Sequence, residues 1–190
     1  MKTIPGPDSE AKFTSYASGH ELPHDYGKIY EVIKDIGQIK IAASQNQIDL
    51  LLELAGPLTP PFYILYVLIV TRLDNKHGRY QSPLLETKDE LTSFLREYQE
   101  YFETDGRHHI WICTLDNSGR FIYDQHNVIF AYGQLENYIS ILKKIGYKER
   151  EFSFPAPHAH VYNASNDKFE EKILHHWDWD YFPLTDDDEY

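Results

Sequence analysis

A chain of 190 residues, 42% hydrophobic and 15% aromatic, is long enough to bury a sizeable core as a single domain (1–190) and too apolar to be disordered over most of its length. Its net charge of −12 argues against general binding to nucleic acid or to anionic membranes, and leaves open a basic protein partner, a cationic ligand or plain solubility. The single cysteine, Cys113, excludes an intramolecular disulfide and fits a reducing, cytoplasmic setting, and the opening MKTIPGPDSE lacks the apolar stretch of a signal peptide.

Residues 1–26, rich in Pro, Gly, Ser and His, read as an irregular N-terminal arm. Ile29, Val32, Ile33 and Ile36 keep helical spacing, and Gly37 is suited to a left-handed cap, so this stretch is predicted to be a helix. QIKIAA alternates and reads as a short strand. Asn46 to Ala55 presents Ile48, Leu51, Leu52 and Ala55 at helical spacing before Gly56-Pro57 stops it. FYILYVLIV, the longest apolar run, is far short of the ~20 residues of a membrane helix. Its aromatic and β-branched content predicts a strand near 62–71, covered on both faces. Thr87 and Glu90 match the capping box T-x-x-E, opening a helix with the stripe Leu91, Phe94, Leu95, Tyr98 and Phe102, ended by Asp105-Gly106.

HIWICTL, FIYD and VIFAY, separated by DNSG and by a turn at Gln125-His126-Asn127, predict a three-stranded antiparallel meander over about 109–132. A helix from Leu135 to Ile145 follows, stopped by Gly146. EFSF alternates and reads as a strand continuing past Pro155-Ala156-Pro157 into HAHVY, giving strands near 148–162 at a sheet edge or bend. FEEKILHHW is a short helix, and 183–190 an acidic, frayed tail. VIKDIG and ILKKIG echo one another; a shared way of ending a helix at glycine is the simpler account than a duplication. The sum is an α+β fold: a mainly antiparallel sheet packed by three or four helices.

The ten histidines are the first chemical clue. In a strand His158 and His160 point to the same face and can offer two imidazoles to one metal, with a third ligand from His126, Asp124 or His109 on the meander. Zinc or another divalent ion would suit such a set. The plainer reading is a strand whose histidines bond locally, because H-x-H recurs by chance more readily than H-E-x-x-H. A second pattern is Gly-Arg before an aromatic or His: Gly78-Arg79-Tyr80, Gly106-Arg107-His108 and Gly119-Arg120-Phe121. The candidate ligand- or anion-binding residues are Arg79, Arg107, His108, His109 and His126. Arg107 and Arg120 open adjacent antiparallel strands and so fall at opposite ends of the sheet; a solvated arginine after a turn glycine is the plainer reading. Cys113 shares a strand face with His109 and reads as an inert buried thiol. No nucleophile elbow, P-loop or dinucleotide fingerprint is present. Near the C-terminus Trp177, Trp179 and Tyr181 stand among acids and are candidate interface residues, unless they fold back over the domain.

Two functions follow as expectations. One is a soluble, non-enzymatic binding protein with a basic protein partner and no cofactor. In bulk it is similar to the bacterial immunity proteins that sequester basic toxins, a likeness of composition and not of motif. The other is a metal-assisted hydrolase built on His158 and His160, with Arg107 holding a substrate anion. The lack of a catalytic signature favours the first.

Overall fold

The computed structural model describes residues 11–17, 19–43, 45–185 and 188. In chain order the elements are β1 (Phe13–Ala17), β2 (His20–Pro23), β3 (Ile29–Ile33), β4 (Gln38–Ala42), α1 (Gln47–Ala55), β5 (Phe62–Leu68), β6 (Gly78–Gln81), α2 (Lys88–Glu97) and α3 (Gln99–Thr104). Then come β7 (His108–Thr114), β8 (Gly119–Tyr123), β9 (Val128–Gly133), α4 (Leu135–Lys144), β10 (Lys148–Glu149), β11 (His158–His160), α5 (Asp167–Leu174) and β12 (Asp180–Phe182). Nine strands form one sheet in the order β10-β3-β4-β9-β8-β7-β5-β6-β12, and three form a small sheet in the order β11-β1-β2. Every pairing is antiparallel except that of β10 with β3.

Period-2 alternation decides which face of the large sheet is dry. Ile39 and Ile41, Ile64, Tyr66 and Leu68, Ile110 and Ile112, Phe121 and Tyr123, and Ile129 and Ala131 all face one way and are buried. The five helices cover that face with Leu51 and Leu54, Leu91, Phe94 and Leu95, Tyr101 and Phe102, Tyr138 and Leu142, and Ile173. Each fully buried side chain of this size contributes about 1.5–3 kcal/mol. The capping box forms as the sequence predicts: the Glu90 amide donates to Thr87 Oγ1, and the Thr87 amide to Glu90 Oε2. The apolar stripe continues to Phe102, but across a break at Tyr98 that divides it between α2 and α3.

The other face of the sheet is only partly covered. The small sheet and the segment after β10 lie over one end, where Phe13, Tyr26, Ile29, Ala42 and Val128 make a second apolar cluster with Phe130 and Phe152. The rest of this face is open. Consequently β5 is not buried on both sides: Tyr63 and Leu65 are half-buried.

Four expectations need correction. Ile29–Ile33 is a strand followed by a single 3-10 turn, Lys34–Ile36, so the predicted helix is absent; Gly37 still adopts the left-handed conformation, at φ 62°. The N-terminal stretch is not irregular throughout: 13–17 and 20–23 are strands, while residues 1–10 lie outside the described residues. EFSF is not a strand. Within 148–162 only Lys148–Glu149 and His158–His160 are strands, and they belong to different sheets. Asp180–Phe182 is an edge strand on β6, made possible because Gly78 has no Cβ to collide with the Tyr181 ring. Of the tail expected to fray, Thr185 and Asp188 are docked, with the Thr185 amide donating to Asp188 Oδ2 at 2.7 Å; residues 186, 187, 189 and 190 lie outside the described residues.

Candidate metal centre

The turn between β8 and β9 is held from several sides. Asp124 Oδ1 accepts from the amides of His126 and Val128, each at 2.9 Å, closing an Asx-type turn. Asn127 takes the left-handed conformation (φ 60°), and the Tyr123 hydroxyl donates to its side-chain oxygen at 2.8 Å. The second carboxylate oxygen of Asp124 accepts from His126 Nδ1 at 2.8 Å. A carboxylate here is acceptor only, so Nδ1 carries the proton and the His126 lone pair sits on Nε2. Burial works to raise the Asp124 carboxyl, but the hydrogen bond from His126 holds it below its ordinary value.

His158 and His160 reach the same place from the small sheet. β11 pairs with β1 in the register Phe13↔His160 and Ser15↔His158, which turns both imidazoles to one face. The Phe13 ring packs against His126, His158 and His160 at centroid distances of 5.2, 5.3 and 5.7 Å. Phe154 stacks on His126 from the other side at 4.2 Å. His158 Nδ1 donates to the Pro155 carbonyl at 2.8 Å, which leaves its Nε2 lone pair free. His160 keeps Nδ1 buried with no hydrogen-bond partner among the described residues, and the Gln125 carbonyl lies against its ring. Burial first, then the nearby His126 and His158, lower its pKa to about 4, so the ring is neutral and able to ligate at pH 7.

One ligand nitrogen from each of His126, His158 and His160 falls within 4.8 Å of the others. In a tetrahedral zinc site with bonds of about 2.0–2.1 Å, ligand nitrogens lie about 3.4 Å apart. His158 is the exposed member of the three. Asp124 stands behind His126 as an orienting carboxylate, and the Pro155 carbonyl does the same for His158, an arrangement typical of metal-bound histidines. Gly106 gives the cluster its room: a Cβ there would sit 2.8 Å from the Lys12 carbonyl and 3.1 Å from His160 Cβ.

Of the three third-ligand candidates, His126 joins the pair, Asp124 stands behind it, and His109 lies apart, buried beside the neighbouring cleft. The proposed anion set does not converge. Arg107 is fully buried in a cage of Asp105, Asp167, Glu170 and the Asn163 carbonyl. Burial alone would lower its pKa, but the Asp105 and Glu170 contacts carry it above its ordinary value. His108 points into the helix-covered core, stacked on Tyr101 at 4.5 Å, and burial pushes its pKa well down. Arg79 and His109 share the cleft on the open face, but Arg79 is occupied by the Pro183 carbonyl and Asp188. The tail aromatics fold back: Trp177 stacks on Phe94 at 4.4 Å, Trp179 Nε1 donates to the Ile173 carbonyl at 2.8 Å, and Tyr181 donates to the His77 carbonyl at 3.1 Å. Cys113 is buried, as expected.

Sequence reasoning missed the parts that position the cluster: Phe13, Phe154 and Gly106. It also missed Lys12, fully buried 3.5 Å over the Tyr123 ring, whose pKa burial lowers to about 7. None of these carries a local signal, since each acts through contacts distant in sequence. Compared with family models, with curated proteins and with solved structures, the chain matches none. No helix among the described residues is long and apolar enough to cross a membrane.

Proposed function

We propose that the protein binds one divalent transition-metal ion, zinc foremost, at His126, His158 and His160, and uses it for metal-assisted hydrolysis. The observation that carries this reading is the convergence of three imidazoles from two sheets, two of the rings oriented by an oxygen. Three neutral nitrogen ligands are the donor set of catalytic zinc, with a fourth position left for water. An ion held by His126, His158 and His160 would supply a water activated near neutral pH. Water adds across the scissile bond: the acyl or phosphoryl fragment takes the hydroxyl, and the leaving group takes the proton. On the protein side, Asp124 holds the His126 tautomer, and Phe13 and Phe154 shield the ring stack from water. The alternative of a non-enzymatic protein for a basic partner rests on the net charge and the lack of a catalytic signature, because the tail aromatics offered as its anchors are packed inward.

The test is metal content by mass spectrometry on tag-free protein prepared without chelators, beside a His158→Ala/His160→Ala variant. One metal per chain, lost in the variant, is the expected result. A chain that takes up no metal even after dialysis against zinc overturns the reading.

A further inference from the structure

The strand registers lay out the open face of the large sheet in rows. Gln38, Tyr132, Arg120 and Cys113 lie side by side across β4, β9, β8 and β7, and the next row is Lys40, Phe130, Ile122 and Trp111. Two residues further on, Asp124 and His109 lead to His126. A cleft of about 400 Å³ runs over these rows from Arg120 to His126. Arg120 and Asp124 are four residues apart on one extended segment, which separates their backbones by about 13 Å.

The charges along this cleft are already committed, with one exception. Arg79 is held by Asp188, 3.7 Å away, and Asp124 by His126. Arg120 has no carboxylate within ion-pair distance among the described residues; its guanidinium lies 4.4 Å over the Tyr132 ring and is exposed. Between Arg120 and the histidines the lining is Ile122, Phe130, Phe154 and Trp111, and the Trp111 Nε1 is buried without a hydrogen-bond partner among the described residues. Arg120, without a carboxylate partner among the described residues, at one end, an apolar aromatic middle and His126 at the other end specify a ligand by its length and polarity.

We infer that this cleft binds an elongated anion with an aromatic body: a carboxylate or phosphate head on Arg120, the ring over Ile122 and Phe130 beside Phe154, and the far end at His126. This names the substrate class of the proposed centre and rests on that reading for the far end alone. The probes are phenylbutyrate, phenylpropyl phosphate and the uncharged phenylbutanol, titrated calorimetrically into chelator-treated protein up to millimolar concentration. The two anions bind about tenfold or more tighter than the alcohol, the worth of one charge-assisted pair, and the stronger of them names the head group. Arg120→Gln abolishes that preference, and Ile122→Trp, which fills the middle of the cleft from a half-buried position, removes binding of all three. Equal binding of anion and alcohol, an undiminished preference in Arg120→Gln, or no binding of any probe overturns the inference. Zinc content measured on the same preparations separates the two claims. Protein that takes zinc but no anion loses only the cleft, and protein that binds the anion but never zinc loses only the metal centre.

Discussion

Around Arg107 every donor of the guanidinium is met by protein: Nε and one terminal nitrogen by Asp105, that same nitrogen also by the Asn163 carbonyl, and the other by Asp167 and Glu170, at 2.8–3.0 Å. His126 and His158 each have an oxygen on one ring nitrogen, and all three rings, His160 included, bring a nitrogen within 4.8 Å of the others. Gly106, between Asp105 and Arg107, brings the two clusters into contact by packing against His160, its amide donating to the Val161 carbonyl at 2.8 Å. Both gather polar groups at the junction of the small sheet with the large one. A cluster whose bonds close on themselves fastens the fold; a cluster whose bonds point at one another's empty hands is arranged for something added.

The largest effect belongs to the closed cluster. Arg107→Ala strands Asp105 and Glu170, both buried, and is expected to cost about 3–5 kcal/mol, read as a drop in the urea midpoint or as failure to accumulate folded protein. If Arg107→Ala costs less than His158→Ala/His160→Ala in the absence of metal, the contrast between the clusters is wrong.

Acid comes next. His108 and His109 have folded-state pKa values depressed by burial, His109 to about 4, below the ordinary 6.5. Between those values the unfolded chain holds more protons than the folded one, so stability is full above pH 6.5 and falls as pH drops toward 4. For His109 alone the loss is roughly 3 kcal/mol across that window. Melting temperatures between pH 7 and 4 check it, and His108→Leu should flatten the curve.

Zinc at one hundred times its dissociation constant should stabilise the wild type by about 2.7 kcal/mol and leave His158→Ala/His160→Ala unmoved. A thermal shift of equal size in both proteins would place the metal elsewhere. The smallest effect isolates one hydrogen bond. Asp124→Asn can keep both amide contacts through Oδ1, but its NH2 cannot accept from His126 Nδ1, so the ring loses its enforced tautomer. Zinc affinity should fall about 10–100-fold with the turn intact, measured by competition with a chromogenic chelator.

Much of the large sheet is legible in local pattern. The meander announces itself through alternation and turn residues, and α2 through Thr87 and Glu90. Residues 29–33 mislead for a physical reason. Ile29 packs in the small cluster while Tyr30 and Val32 face the main core, so apolar residues fall on both sides of the strand and imitate helical spacing. β2 is exposed at all four positions and therefore has no alternation to read. The histidine pair is visible as H-x-H, but its union with His126 depends on the pairing of residue 13 with residue 160, which no short window contains.

That same pairing imposes an order of events on synthesis. β1 leaves the ribosome well before its partner β11, which is encoded some 145 residues later, and β2 alone is a weak companion for it. The three imidazoles cannot meet until residue 160 is clear of the exit tunnel. Capture of the proposed metal would therefore wait on the synthesis of β11, and a nascent chain stalled before it would present His126 without His158 and His160.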